Sequence, residues 1–155
     1  PVLSGHGLTG LIEPLGFGAS AVRRQRQALR AIDAMGAQTP FALVHDTFHH
    51  HLAQDGDFFP ASTGLVHVSG VDDTDLTVDM MRDPHRQLVG PKDRLGNLAQ
   101  LQALLAGGYQ GYVSFEPFAD GIITAPDIEE RLRTSMAYLS AAVAASTGTE
   151  VNSVR

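Results

Sequence analysis

Four side chains able to bind a metal or move a proton stand late in four short apolar runs. They are Glu13 in GLIEPLGF (Gly10 to Phe17), Asp46 in FALVHDTFHHHLAQ (Phe41 to Gln54), His67 in GLVHVSGV (Gly64 to Val71) and Glu116 in GYVSFEPF (Gly111 to Phe118). Two glutamates, an aspartate and a histidine make a mostly oxygen ligand set. It suits Mn²⁺, Mg²⁺, Co²⁺ or Zn²⁺ without choosing among them. Buried carboxylates are costly unless paired or metal-bound, so one such residue on each of four successive runs points to a shared site. Each residue also has a plainer reading. Glu13 and Glu116 could pair with arginines of the long loop after Val71, His67 could be a satisfied core histidine, and Asp46 could cap a helix starting at Thr47. His49 stands three residues after Asp46, where one helical turn would bring it to the same mouth. His50 and His51 read as packing or solvent residues.

The runs must be strands for their ends to meet, and the intervening sequence reads as helices. The first strand spans Leu8 to Glu13 and stops at Pro14. Ser20 is a plausible N-cap for a helix in which Val22, Leu29 and Ile32 recur through Met35, with Arg23, Arg24, Arg26 and Arg30 outside. Gly36 ends it. The second strand is Phe41 to Asp46, followed by a short helix from Thr47 to Gln54. The third is Leu65 to Val71. The loop from Val71 to Gly96 is long enough to suggest a functional role. Asn97 is expected to cap a helix with Leu98, Leu101, Leu104 and Leu105 on one face. Tyr112 to Pro117 is the fourth strand. Asp127 caps the longest helix, striped by Ile128, Leu132, Met136, Leu139 and Val143. The order is four βα units, and the near-continuous apolar strands fit a parallel sheet covered on both faces. We assign one domain over residues 1–146 and a polar tail over 147–155.

The chain has 155 residues, 43% hydrophobic and 18% charged, enough to bury a core. A formal charge of −6 argues against a nucleic-acid footprint and against an anionic membrane surface. No apolar run approaches the ~20 residues of a membrane span, and no signal peptide is expected. Without cysteine there is neither a disulfide framework nor a thiolate metal site. A cytoplasmic setting fits.

The stretches GLIEPLGF, LVHDTFHHHL, GLVHVSGV, HRQLVGPKDRLGN and GYVSFEPF, in that order, resemble the xylose-isomerase-like sugar isomerase and epimerase superfamily. The similarity is strongest to inosose (2-keto-myo-inositol) isomerases. The resemblance implies an α/β fold of the (β/α)8 TIM-barrel type with one divalent metal. It implies Glu13, Asp46, His67 and Glu116 as metal ligands, Glu13 and Glu116 as the proton-transfer pair, and His49 and Arg86 as substrate contacts. The substrate class is a keto-sugar or keto-polyol. A whole barrel needs about 250 residues, so the chain is expected to be a half-barrel holding strands 5–8, the C-terminal half. A homo-oligomer or a complementing N-terminal half would then close it, because Leu11, Leu43, Val66 and Val113, expected to face the barrel interior, would otherwise meet water. Two alternatives are an endonuclease-four-like metal-dependent phosphodiesterase, which the net charge disfavours, and a catalytically incomplete half-barrel binding module.

Overall fold

A computed structural model describes residues 2–36 and 39–147. The tail expected over 147–155 therefore lies, beyond Thr147, outside the described residues. A helical turn α1 (Val2–Gly5) precedes β1 (Gly10–Ile12), α2 (Gln25–Ala34), β2 (Phe41–Asp46), α3 (Thr47–Ala53), β3 (Thr63–Val68), α4 (Asn97–Ala106), β4 (Val113–Phe115) and α5 (Ile128–Thr147). The four strands form one parallel sheet in the order β1-β2-β3-β4. Parallel neighbours need crossovers, and α2, α3 and α4 supply them. This is the parallel α/β order expected from the alternating pattern, and the TIM-barrel-like type that the resemblance implies.

Side chains along a strand alternate between faces, and that parity divides the sheet. Leu43 is fully buried against Ala28 and Ile32 of α2, and Val66 is fully buried with Leu101 and Leu104 of α4. Both lie on the helix side, not in the barrel interior. The reason is visible in the numbering: Leu43 is three residues before Asp46, and Val66 is adjacent to His67. Val113 has the same parity problem relative to Glu116, and it is half-exposed on the outer strand β4. Leu11 shares the face of Glu13 and is 42% exposed. Of the four side chains expected inside the barrel, Leu11 alone stands on that face.

Other local expectations shift for identifiable reasons. The helix α2 starts at Gln25, not near Ser20, because Gln27 Oε1 reaches back to accept from the Arg23 and Arg24 N–H groups at 2.9 Å each. Val22 falls outside the helix and is exposed. Arg23 is not a solvated outer residue: its Nε and Nη2 donate to the Gly16 and Leu52 carbonyls, both at 2.8 Å. Asn97 does not cap α4. Gly96, with φ of 73°, occupies that position, a left-handed conformation that glycine adopts without strain. The Asn97 amide is free to point elsewhere, and it donates to the Ser69 carbonyl at 2.8 Å. On α5, Met136 is exposed and Ser135 takes the buried place, its Oγ donating to the Val89 carbonyl at 2.6 Å.

The long connection between β3 and α4 is built from two single turns, Val78–Met80 and Asp83–His85. Gly70 and Gln87 exchange backbone hydrogen bonds at 2.8 and 2.7 Å, folding its two arms together. Its Val71, Met81 and Leu95 pack with Phe48 and Leu52 of α3 into a buried cluster. The loop thus roofs the C-terminal end of the sheet.

Candidate metal centre

Glu13 lies one residue beyond β1 and Glu116 one beyond β4, while Asp46 closes β2 and His67 is the penultimate residue of β3. Parallel strands in register bring such positions to one end, and Asp46 pairs directly with His67. Each of the four offers a ligand atom within 4.8 Å of all the others. In a parallel barrel, functional groups gather at this end.

The contacts inside the cluster are unequal. His67 Nδ1 lies 3.5 Å from Glu13 Oε1 and 3.3 Å from Glu116 Oε1. Neither approach has hydrogen-bond geometry, and both His67 Nδ1 and Glu13 Oε1 are buried without a hydrogen-bond partner among the described residues. Buried polar atoms in native proteins are nearly always satisfied. A lone pair on imidazole and a carboxylate oxygen, both unpartnered and converging, are what a divalent cation would use. The donor set therefore fits a metal.

Asp46 caps a helix, as its plainer reading held, and also pairs with Arg86. Its Oδ1 accepts from the His49 N–H at 2.9 Å, capping α3, and its Oδ2 accepts from Arg86 Nη2 at 2.6 Å. The same Arg86 nitrogen donates to Glu116 Oε2 at 2.8 Å. Glu116 thus does pair with an arginine of the long loop, as its plainer reading held, whereas Glu13 faces His67. Arg86 Nε donates to Ser69 Oγ at 2.9 Å, and Nη1 lies 3.4 Å from Asp83 Oδ1.

Glu116 and Glu13 both face His67, so its ring favours the protonated form. Glu116 and Glu13 beside it raise the imidazole to about 10, against the opposing effect of burial. Burial pushes the Asp46 carboxyl up to about 7, partly offset by Arg86 and the His49 N–H. Burial also acts to raise Glu116. The His67 ring and the Asp46 carboxyl beside it, and the charges of His67 and Arg86, outweigh that and hold it at about 2.

His49 is buried beside the cluster, edge-on to Phe17 and Phe48 with centroid distances of 5.1 and 5.3 Å. Burial lowers its pKa, keeping it neutral, and its Nδ1 has no hydrogen-bond partner among the described residues. His50 packs between His45 and Phe58 at 4.6 and 4.8 Å, a packing role as expected. A cleft of about 740 Å³, lined in part by Phe17, Ser20, Arg23, Val78, Arg82 and Asp83, has none of the four ligand candidates in its wall. It touches the site through Phe17, against His49, and through Asp83, against Arg86.

Several contributors escaped the sequence reading. Ser69, Asp93, Asn97, Phe48 and Phe118 all act on the centre through Arg86 or its loop. The one available signal was the cluster of polar residues in HRQLVGPKDRLGN, whose contacts close only across the fold.

The description "Xylose isomerase-like TIM barrel" belongs to a family model that matches residues 1–142. A xylose isomerase domain containing protein from Salmonella typhimurium LT2 is 34% identical, with a TM-score of 0.80 over 88% of this chain and 52% of that one. A xylose isomerase domain protein from Alicyclobacillus acidocaldarius shares the fold at 19% identity, with a TM-score of 0.75 over 94% of this chain and 54% of that one. A xylose isomerase-like TIM barrel/4-hydroxyphenylpyruvate dioxygenase fusion protein does so at 21% identity and a TM-score of 0.72, over 98% of this chain and 25% of that one. Among curated proteins none matches significantly. The chain spans about half the length of the first and second of these structures, or less in the fusion. Sheet order, the position of the centre and these similarities agree: the chain belongs to the xylose isomerase-like TIM barrel family.

Proposed function

We propose that the chain carries the metal centre of an isomerase or epimerase acting on a keto-sugar or keto-inositol. The observation that carries this reading is the convergence of Glu13, Asp46, His67 and Glu116 at one end of the sheet, with two of their ligand atoms unpartnered. A divalent metal held there, Mn²⁺, Mg²⁺, Co²⁺ or Zn²⁺, would supply Lewis acidity toward a carbonyl and its neighbouring hydroxyl. Moving a carbonyl along a polyol, or inverting the carbon beside it, requires removing a proton α to that carbonyl. Glu13 and Glu116, on either side of His67, take the proton from one carbon and return it, through an enediolate. Neutral His49 donates to a developing oxyanion. Arg86 is carried over as a substrate contact from the HRQLVG motif; its guanidinium is fully buried and paired with Asp46 and Glu116, so it acts on the substrate through those carboxylates.

The inosose-like motifs make keto-inositol the first substrate to test. The active form we propose is a closed eight-stranded barrel in which this chain supplies the C-terminal four strands, completed by a second copy or by an N-terminal half. Metal analysis with turnover assays on keto-inositols and hydroxypyruvate tests the reading. Asp46→Ala and His67→Ala should lose metal. Glu116→Gln should keep part of it and lose turnover, because an amide can coordinate through oxygen but cannot take up the proton. Failure of the wild-type chain to bind any of the four metals would refute the assignment.

A further inference from the structure

Arg86 has the largest volume among the fully buried side chains of the described residues. An enclosed guanidinium is strongly destabilising unless it is paired and hydrogen-bonded. Here Nη2 bridges Asp46 Oδ2 and Glu116 Oε2, and Nε is held by Ser69 Oγ. The guanidinium carbon sits 4.9 Å from the Phe48 ring centroid and 4.8 Å from that of Phe118. The Arg86 carbonyl accepts from the Phe118 and Ala119 N–H groups at 2.9 and 2.8 Å, tying the loop to the end of β4.

A brace stands behind this arrangement. Asn97 Nδ2 donates to the Ser69 carbonyl and to Asp93 Oδ2, at 2.8 and 3.0 Å. Asp93 also accepts from the Val71, Leu95 and Asn97 N–H groups, at 3.3, 3.1 and 3.0 Å. The polar positions of PKDRLGN thereby fix the residue that holds Arg86 Nε. One nitrogen shared by two carboxylates also fixes how far apart those carboxylates stand.

We infer that Arg86 is a positioning residue for the metal: a fixed internal cation, braced by Ser69, Asn97 and Asp93, that holds Asp46 and Glu116 converged before any ion arrives. Charge supports the assignment. Arg86 offsets part of the negative charge of Asp46 and Glu116, which lets the two carboxylates stand close together, with His67 able to serve as a neutral ligand. The inference rests on the metal reading above.

The test is Mn²⁺ binding at one fixed pH, by calorimetry and by the electron paramagnetic resonance spectrum of the bound ion. Wild type is compared with Ser69→Ala, Arg86→Met and Arg86→Lys. Losing a group that orients metal ligands typically costs 10- to 100-fold in affinity. Arg86→Met should weaken binding within that range, and Arg86→Lys should recover part of it. Ser69→Ala, which leaves the guanidinium and both ligands in place, should weaken binding several-fold and broaden the Mn²⁺ spectrum. Should Arg86→Met not fold, Ser69→Ala decides alone. Wild-type affinity and spectrum in Ser69→Ala would overturn the inference, as would tighter binding in Arg86→Met, which would make Arg86 a competitor of the ion. Absence of Mn²⁺ binding by the wild type would instead overturn the metal reading itself.

Discussion

Raising the pH should strengthen metal binding by an amount that His67 sets. Without metal, Glu116 and Glu13 keep its imidazole protonated up to about pH 10. A histidine ligates only as the neutral ring, so each ion bound below that pH must expel a proton. At pH 7, three pH units lower, the apparent affinity is reduced on the order of a thousandfold relative to a deprotonated site, roughly 4 kcal/mol. Between pH 7.5 and 9.5 the logarithm of the Mn²⁺ association constant should rise by about one per pH unit, one proton per ion. Asp46, near 7, should steepen the slope below neutrality. Titration calorimetry in buffers of different ionisation enthalpy counts the protons directly. The metal-free protein should behave oppositely. A histidine raised above its unfolded value stabilises the fold fully below about pH 6.5, and that contribution is lost as pH rises through about 10. Melting curves with and without Mn²⁺ should therefore separate as pH increases. Affinity that is flat from pH 7.5 to 9.5, with no proton released, would refute the reasoning.

Gly16 has no room for a side chain: a Cβ there would overlap the His49 carbonyl oxygen and stand 2.8 Å from Leu52 Cβ. Gly16→Ala should lower stability by about 1–3 kcal/mol, read by urea unfolding, and a neutral outcome would mean that the loop after Glu13 is not clamped on α3. Leu43→Ala should cost about 2–5 kcal/mol, because Leu43 is sealed under α2. Leu11→Ala should cost much less in the isolated chain, since Leu11 is half-exposed there, and equal losses would contradict the division of the two faces. With β1 and β4 as outer strands, each offers an unpaired parallel edge to another chain. Sedimentation of the 155-residue chain should show self-association at micromolar concentration, whereas a well-folded monomer would count against closure by a second copy.

Element order and the four ligand candidates are legible in the chain alone. Both are local: apolar runs bounded by Gly and Pro mark strands, and parallel strands in register must bring their C-terminal ends together, so Glu13, Asp46, His67 and Glu116 could be named before any coordinates. Parity is equally legible: a side chain three residues from Asp46 faces away from it, so Leu43, like Val66 and Val113, belongs to the face opposite the ligand candidates. Caps were less legible, because competing donors and acceptors differ little in free energy. Gln27 displaced Ser20 at α2 by reaching two N–H groups at once, and Gly96 released Asn97 for Ser69. The surroundings of Arg86, by contrast, follow from long-range packing. Its partners lie 17, 30 and 40 residues away in sequence, and the burial that forces all of them to be used exists only once the β3–α4 loop has closed over the sheet. A long-range ion pair in a dry interior leaves no period or spacing in the chain that makes it.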